Sequence, residues 1–119
     1  MKVLVVDPAM GQHSASVRNA GFACFGSLSE FLHDVDLMGQ ERAASLLRQR
    51  NLGVAKIAHF CKGEQNVFRQ CVAHEVFMPG NRAIWEKCMA QIDKVNSLLR
   101  EIGLNGQTYT ISANTQVEN

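Results

Sequence analysis

Apolar positions repeat at helical spacing most plainly near the end of the chain. Trp85, Cys88, Ile92, Val95, Leu99 and Ile102 follow one another at intervals of 3, 4, 3, 4 and 3 residues. That stripe predicts a helix over 82–102 packed into a core, with Gly103 as its stop. A shorter stripe, Leu28, Phe31, Leu32 and Val35, follows Ser27-Leu28-Ser29-Glu30, which has capping-box spacing, and precedes Gly39. Ala43, Ala44, Leu46 and Leu47 predict a helix over 41–51. Two further helices are expected at 53–61 and 65–77. In the latter, Phe68, Cys71, Val72 and Val76 recur at i, i+3, i+4 and i+8. Pro79-Gly80 breaks the run before the last helix.

Other stretches read as extended. Val3 to Val6 is a continuous β-branched and apolar run, ended by Asp7-Pro8. Phe22 to Phe25 suits a second strand, and Tyr109 and Ile111 alternate with threonines as a third would. Residues 13–20 could form one or two helical turns before Gly21. The expected class is α+β: a small sheet of two N-terminal strands and one C-terminal strand, packed on a mostly helical remainder. One globular domain over 1–111 and a polar tail over 112–119 are expected.

Composition narrows the class without naming a function. At 119 residues, 46% hydrophobic and 19% charged, the chain suits one folded domain and not a disordered one. Nothing in it approaches a membrane-spanning run. The N-terminal apolar stretch is too short for a signal peptide, so a cytoplasmic location with reduced cysteines is the expectation.

The net charge of +1 is unevenly spread. Residues 1–40 carry two basic and four acidic side chains, residues 41–70 six and two, and residues 71–119 four and five. The basic centre is a candidate phosphate-contacting face, although a solvated helical surface is the commoner use of such charge.

Four residues in the window 57–74 raise the question of metal: His59, Cys61, Cys71 and His74. Cys71 and His74, three apart, would share a helical face, whereas His59 and Cys61, two apart, would diverge. A tetrahedral zinc needs four converging ligands, so no metal and no cofactor are expected, and Cys61 and Cys71 read as small core residues. Pairs such as Cys24 with His13 or His33, or Cys71 with His74, could be written as nucleophile and base, but no third orienting group accompanies them. Asp34 and Asp36 read as a solvated helix end. A non-enzymatic role is expected.

On helical phase, Ile57, Ala58 and Cys61 would form the inner face of one helix, Lys62-Gly63-Glu64 a turn, and Phe68, Cys71, Val72 and Val76 the inner face of the next. Gln65, Asn66, Arg69 and Gln70 would then face outward, and these side chain types match base edges in the major groove. Over residues 54–76 this resembles the helix-turn-helix superfamily of DNA-binding proteins, with 41–51 as a supporting helix. Glycine stands one position later than that family's turn usually has it, and the apolar residue after it is missing.

The resemblance implies a DNA-binding regulator with base contacts from Gln65, Asn66, Arg69 and Gln70. Phosphate contacts would come from Arg48, Arg50, Lys56 and Lys62. A homodimer through residues 82–102 would accompany it. The first third is weakly similar to the start of a response-regulator receiver domain, with VLVVD as its first strand, but Pro8 follows the single acid and no receiver function is carried over. The alternative to DNA binding is a small protein-interaction module, an inhibitor or adaptor of a larger complex. Its contact surface would be helix 82–102 or the acidic N-terminal third.

Overall fold

The structure, a computed structural model, describes residues 2, 4, 18, 20–63 and 68–112. Three α-helices form its framework: α1 over Leu28–Met38, α2 over Gln40–Phe60 and α3 over Arg82–Glu101, the last entered through a 3-10 turn at Pro79–Asn81. The expected α+β class is corrected to an all-helical one, because no residue among those described lies in a strand. The expected strand Val3–Val6 and the turns at 13–20 fall mostly outside the described residues, as does the tail beyond Ser112.

The two described candidates for strands are extended but form no ladder, for a physical reason. Tyr109 N–H donates to Asn96 Oδ1 at 2.9 Å, and Tyr109 C=O accepts from Asn96 Nδ2 at 2.9 Å. A side-chain carboxamide on α3 therefore takes both backbone groups that a neighbouring strand would use. Phe22, Ala23 and Cys24 are exposed, so alternation there buries no face. The two segments meet instead through side chains. The rings of Phe25 and Tyr109 lie 5.9 Å apart, and the Tyr109 hydroxyl donates to Gly26 C=O at 3.1 Å.

α1 begins where its sequence signals place it. Ser27 Oγ accepts from Glu30 N–H at 3.3 Å. Glu30 does not return the bond of a full capping box; its carboxylate meets Arg50 at 3.0 Å. Gly39, at φ 84°, closes α1 by donating to Val35 C=O and opens α2 by accepting from Ala43 N–H. One residue thus reverses the chain into an antiparallel helical pair.

α2 is one helix where two were expected. It runs straight through Gly53, whose backbone is in ordinary helical territory. A single glycine costs a helix interior about 1 kcal/mol against alanine, which does not outweigh good helix formers on both sides. The helix expected over 65–77 is likewise corrected: residues 68–78 have neither helical nor strand hydrogen bonding, and residues 64–67 lie outside the described part. Val72 and Val76 are 80% and 57% exposed, so the apolar periodicity of that stretch covers no core. β-branched and aromatic residues weaken local helix preference there.

α3 ends as expected. Gly103, at φ 81°, donates to Arg100 C=O at 3.1 Å, and Leu104 donates to Leu99 C=O at 2.8 Å. Those two bonds make a Schellman motif, and its usual apolar contact is present because Leu99 and Leu104 are both core residues.

The core joins Leu28, Phe31 and Leu32 of α1 to Ala43 and Leu47 of α2 and to Cys88, Val95 and Leu99 of α3. α1 packs on both longer helices, while α2 and α3 make no close backbone contact with each other. No described helix is long and apolar enough to cross a membrane.

Candidate functional site

Helix lengths decide what is left uncovered. At 1.5 Å per residue α1 is about 16 Å long and α2 about 31 Å. The pair starts from the Gly39 turn, and Arg50 of α2 already lies beside Gly26 and Glu30 at the other end of α1. The last ten residues of α2 therefore reach past α1. In this half, Leu52 is 60% exposed, Ile57 44% and Phe60 82%. Leu52, Lys56 and Phe60 follow at i, i+4 and i+8 on the outer side, with Ile57 beside them. From Leu52 to Lys62 the only ionisable side chains besides the half-buried Cys61 are Lys56, His59 and Lys62, and none is acidic.

A second feature lies between α1 and the first turns of α3. It is an open crevice of about 560 Å³ with an apolar floor of Leu32, Ala83, Ile84 and Cys88. Glu30, His33, Asp36 and Lys87 stand at its rim. Lys87 pairs with Asp36. Ile84 belongs to the core stripe of α3 by phase, yet it is 48% exposed because it lies at the open end of the α1 contact.

The site that implied DNA contact is only partly brought together. Arg48, Lys56 and Lys62 are exposed on or just after α2. Arg50 is committed elsewhere: its guanidinium joins Glu30 at 3.0 Å and Asp34 at 3.3 Å, so it ties α2 to α1. Arg69 and Gln70 are exposed on a segment without helix, and Gln65 and Asn66 lie outside the described residues.

His59, Cys71 and His74 are exposed, so Cys71 is not the core residue its phase suggested; Cys88 takes that place at 1% exposure. Among the described residues no three His, Cys, Asp or Glu side chains stand close enough to hold a metal. Burial is the main cause that pushes the Cys88 thiol above its ordinary 9.0, with the Glu75 carboxylate adding to it and Lys87 opposing it. Burial likewise pushes the Tyr109 phenol up, reinforced by Glu75, Glu30 and Cys24 and opposed by Arg50.

One cluster has no signal in the sequence. Glu75, on the irregular segment, reaches the start of α1, where its carboxylate accepts from Ser27 Oγ at 3.1 Å, from Ser29 N–H at 3.3 Å and from Ser29 Oγ. A carboxylate satisfies an orphan amide of the first turn and opposes the positive end of the helix dipole. The partners lie 46 and 48 residues apart, so no local pattern could have linked them.

No family model, curated protein or solved structure matches this chain.

Proposed function

We propose that the chain is a non-enzymatic protein-interaction module whose contact surface is the outer side of α2 from Leu52 to Phe60. The observation that carries this reading is the exposure of Leu52, Ile57 and Phe60 on a helix end that reaches past its partner helix. Contiguous exposed apolar side chains on a folded domain mark surfaces that another molecule covers. An exposed aromatic side chain such as Phe60 is also the kind of group that is enriched at protein interfaces. The affinity-tagged chain should capture a protein partner, and Phe60→Ser should release it while leaving circular dichroism unchanged. Capture that is indifferent to both Leu52→Ser and Phe60→Ser would sink this reading.

A second reading is DNA binding, favoured by the exposed cations Arg42, Arg48, Lys56 and Lys62 on or just after α2. It requires a duplex affinity that falls steeply with salt, and Arg48→Ala and Lys56→Ala should each weaken binding about equally on all sequences. Absence of binding to random duplex at low salt removes it.

A further inference from the structure

We infer that segment 68–78 is a strap closed over the Ser29 end of the α1/α3 crevice, and that it lifts while the helices stay packed, baring the Cys88 thiol on the crevice floor. Two anchors hold it. Glu75 takes the Ser27 and Ser29 hydroxyls and the Ser29 N–H, and Phe77 packs on the core cluster to which Cys88 belongs. Every side chain from Arg69 to Met78 except Phe77 is exposed. Among the described residues, the side-chain hydrogen bonds of the segment all come from Glu75.

Position joins the strap to the crevice. Ser29 and Cys88 both line that crevice, so a carboxylate seated on Ser29 stands at its edge. Burial first, and the Glu75 charge next, hold the Cys88 thiol above its ordinary 9.0, which sets the same carboxylate near the sulfur. The segment runs directly into the 3-10 turn Pro79–Asn81 and α3, so that turn is the pivot once Glu75 and Phe77 let go. A segment with one buried apolar anchor and one exposed clasp opens at a lower free energy than packed helices separate. Cys88 lines the crevice yet is only 1% exposed, so a small electrophile reaches its sulfur after the strap has lifted.

Iodoacetamide labelling of the native chain, read at the Cys88 peptide by mass spectrometry, tests this. The Cys88 thiolate bonds to the reagent's methylene carbon, iodide leaves, and the thiol proton passes to the buffer. Ser29→Ala removes one hydrogen bond of the clasp and keeps the Glu75 charge, whereas Glu75→Gln weakens the whole clasp. Cys88 labelling should rise about two- to tenfold in Ser29→Ala, as loss of one hydrogen bond allows, and further in Glu75→Gln. Amides of α2 should keep their exchange rates in both variants. The unsubstituted chain should label at a rate nearly flat in low urea, because a local opening exposes little surface.

No change in Ser29→Ala overturns the strap whatever Glu75→Gln does, since loss of the charge alone lowers the thiol pKa and speeds labelling. A labelling rate that climbs with urea as steeply as global unfolding overturns it too, because Cys88 would then be reached only when the helices come apart.

Discussion

Asn96 holds Tyr109 by both of its backbone groups, and the Tyr109 hydroxyl in turn holds Gly26. Two variants probe that chain of contacts. Asn96→Ala strands a donor and an acceptor in a partly buried place and should cost about 1–3 kcal/mol in urea unfolding. Tyr109→Phe removes a single bond to a carbonyl and should cost less, about 1 kcal/mol. Equal effects of the two changes would mean that the carboxamide contributes nothing beyond the hydroxyl.

Titration gives a further residue-scale prediction. Cys88 and Tyr109 both have raised pKa values in the folded state, so the folded chain keeps protons that the unfolded chain releases. Their stabilising share is complete at neutral pH and is lost as pH climbs past the ordinary values of 9.0 for the thiol and 10.0 for the phenol. Unfolding free energy should therefore fall between pH 8 and pH 11, and Tyr109→Phe should flatten the upper part of that fall. A flat profile through this window would contradict the burial of both groups.

Gly53 is the informative position among the elements. Beyond its own turn of helix and its chain neighbours, nothing lies within 4 Å of where its Cβ would be, and its backbone needs no positive φ. Gly53→Ala should stabilise the chain by about 0.5–1 kcal/mol through helix preference and a less flexible unfolded state, seen as a rise in melting temperature. Gly103→Ala should do the reverse, because φ 81° suits few side chains.

The same contrast explains what could be read in advance. α1 and α3 were legible because their punctuation and their apolar stripes agree: Ser27 and Gly39 bracket one, Pro79-Gly80 and Gly103 the other. The division expected between 41–51 and 53–61 does not occur, because neither Leu52 nor Gly53 carries a cap or a non-helical backbone there. Residues 68–77 carry helical periodicity without helix, since Glu75 is drawn to α1 and the valines face outward. The missing strands were hidden more deeply. Tyr109 has strand-like neighbours, but Asn96 satisfies it from thirteen residues away. Of the cations expected to touch phosphate, Arg50 was unreadable for the same reason, its acids being on another helix.

Across the whole molecule, α1 is the shared middle of the described fold, and segment 68–78 is attached to it chiefly by Glu75, with Phe77 packed on the core. Most other side chains of that segment are exposed. Glu75→Ala should therefore speed amide exchange and proteolysis across 68–78 while leaving α2 protected. Equal loosening of α2 would show that the clasp supports the whole assembly. Exposed ion pairs add little to this frame: Arg82 with Glu86 should contribute at most about 0.5 kcal/mol as a surface helical pair.

The single-residue joint at Gly39 also sets an order of events during folding. α1 and α2 are adjacent in the chain, so their docking closes almost no loop and can proceed on the fast timescale of local helical contacts. Glu75 must close a loop of 46 residues to reach Ser29, and Tyr109 one of 83 to reach Gly26. Those closures carry a larger entropic cost and become favourable once α1 presents its finished N-terminus. The hairpin is thus the template on which the later half of the chain assembles, and substitutions at Gly39 should slow refolding more than substitutions at Glu75 do.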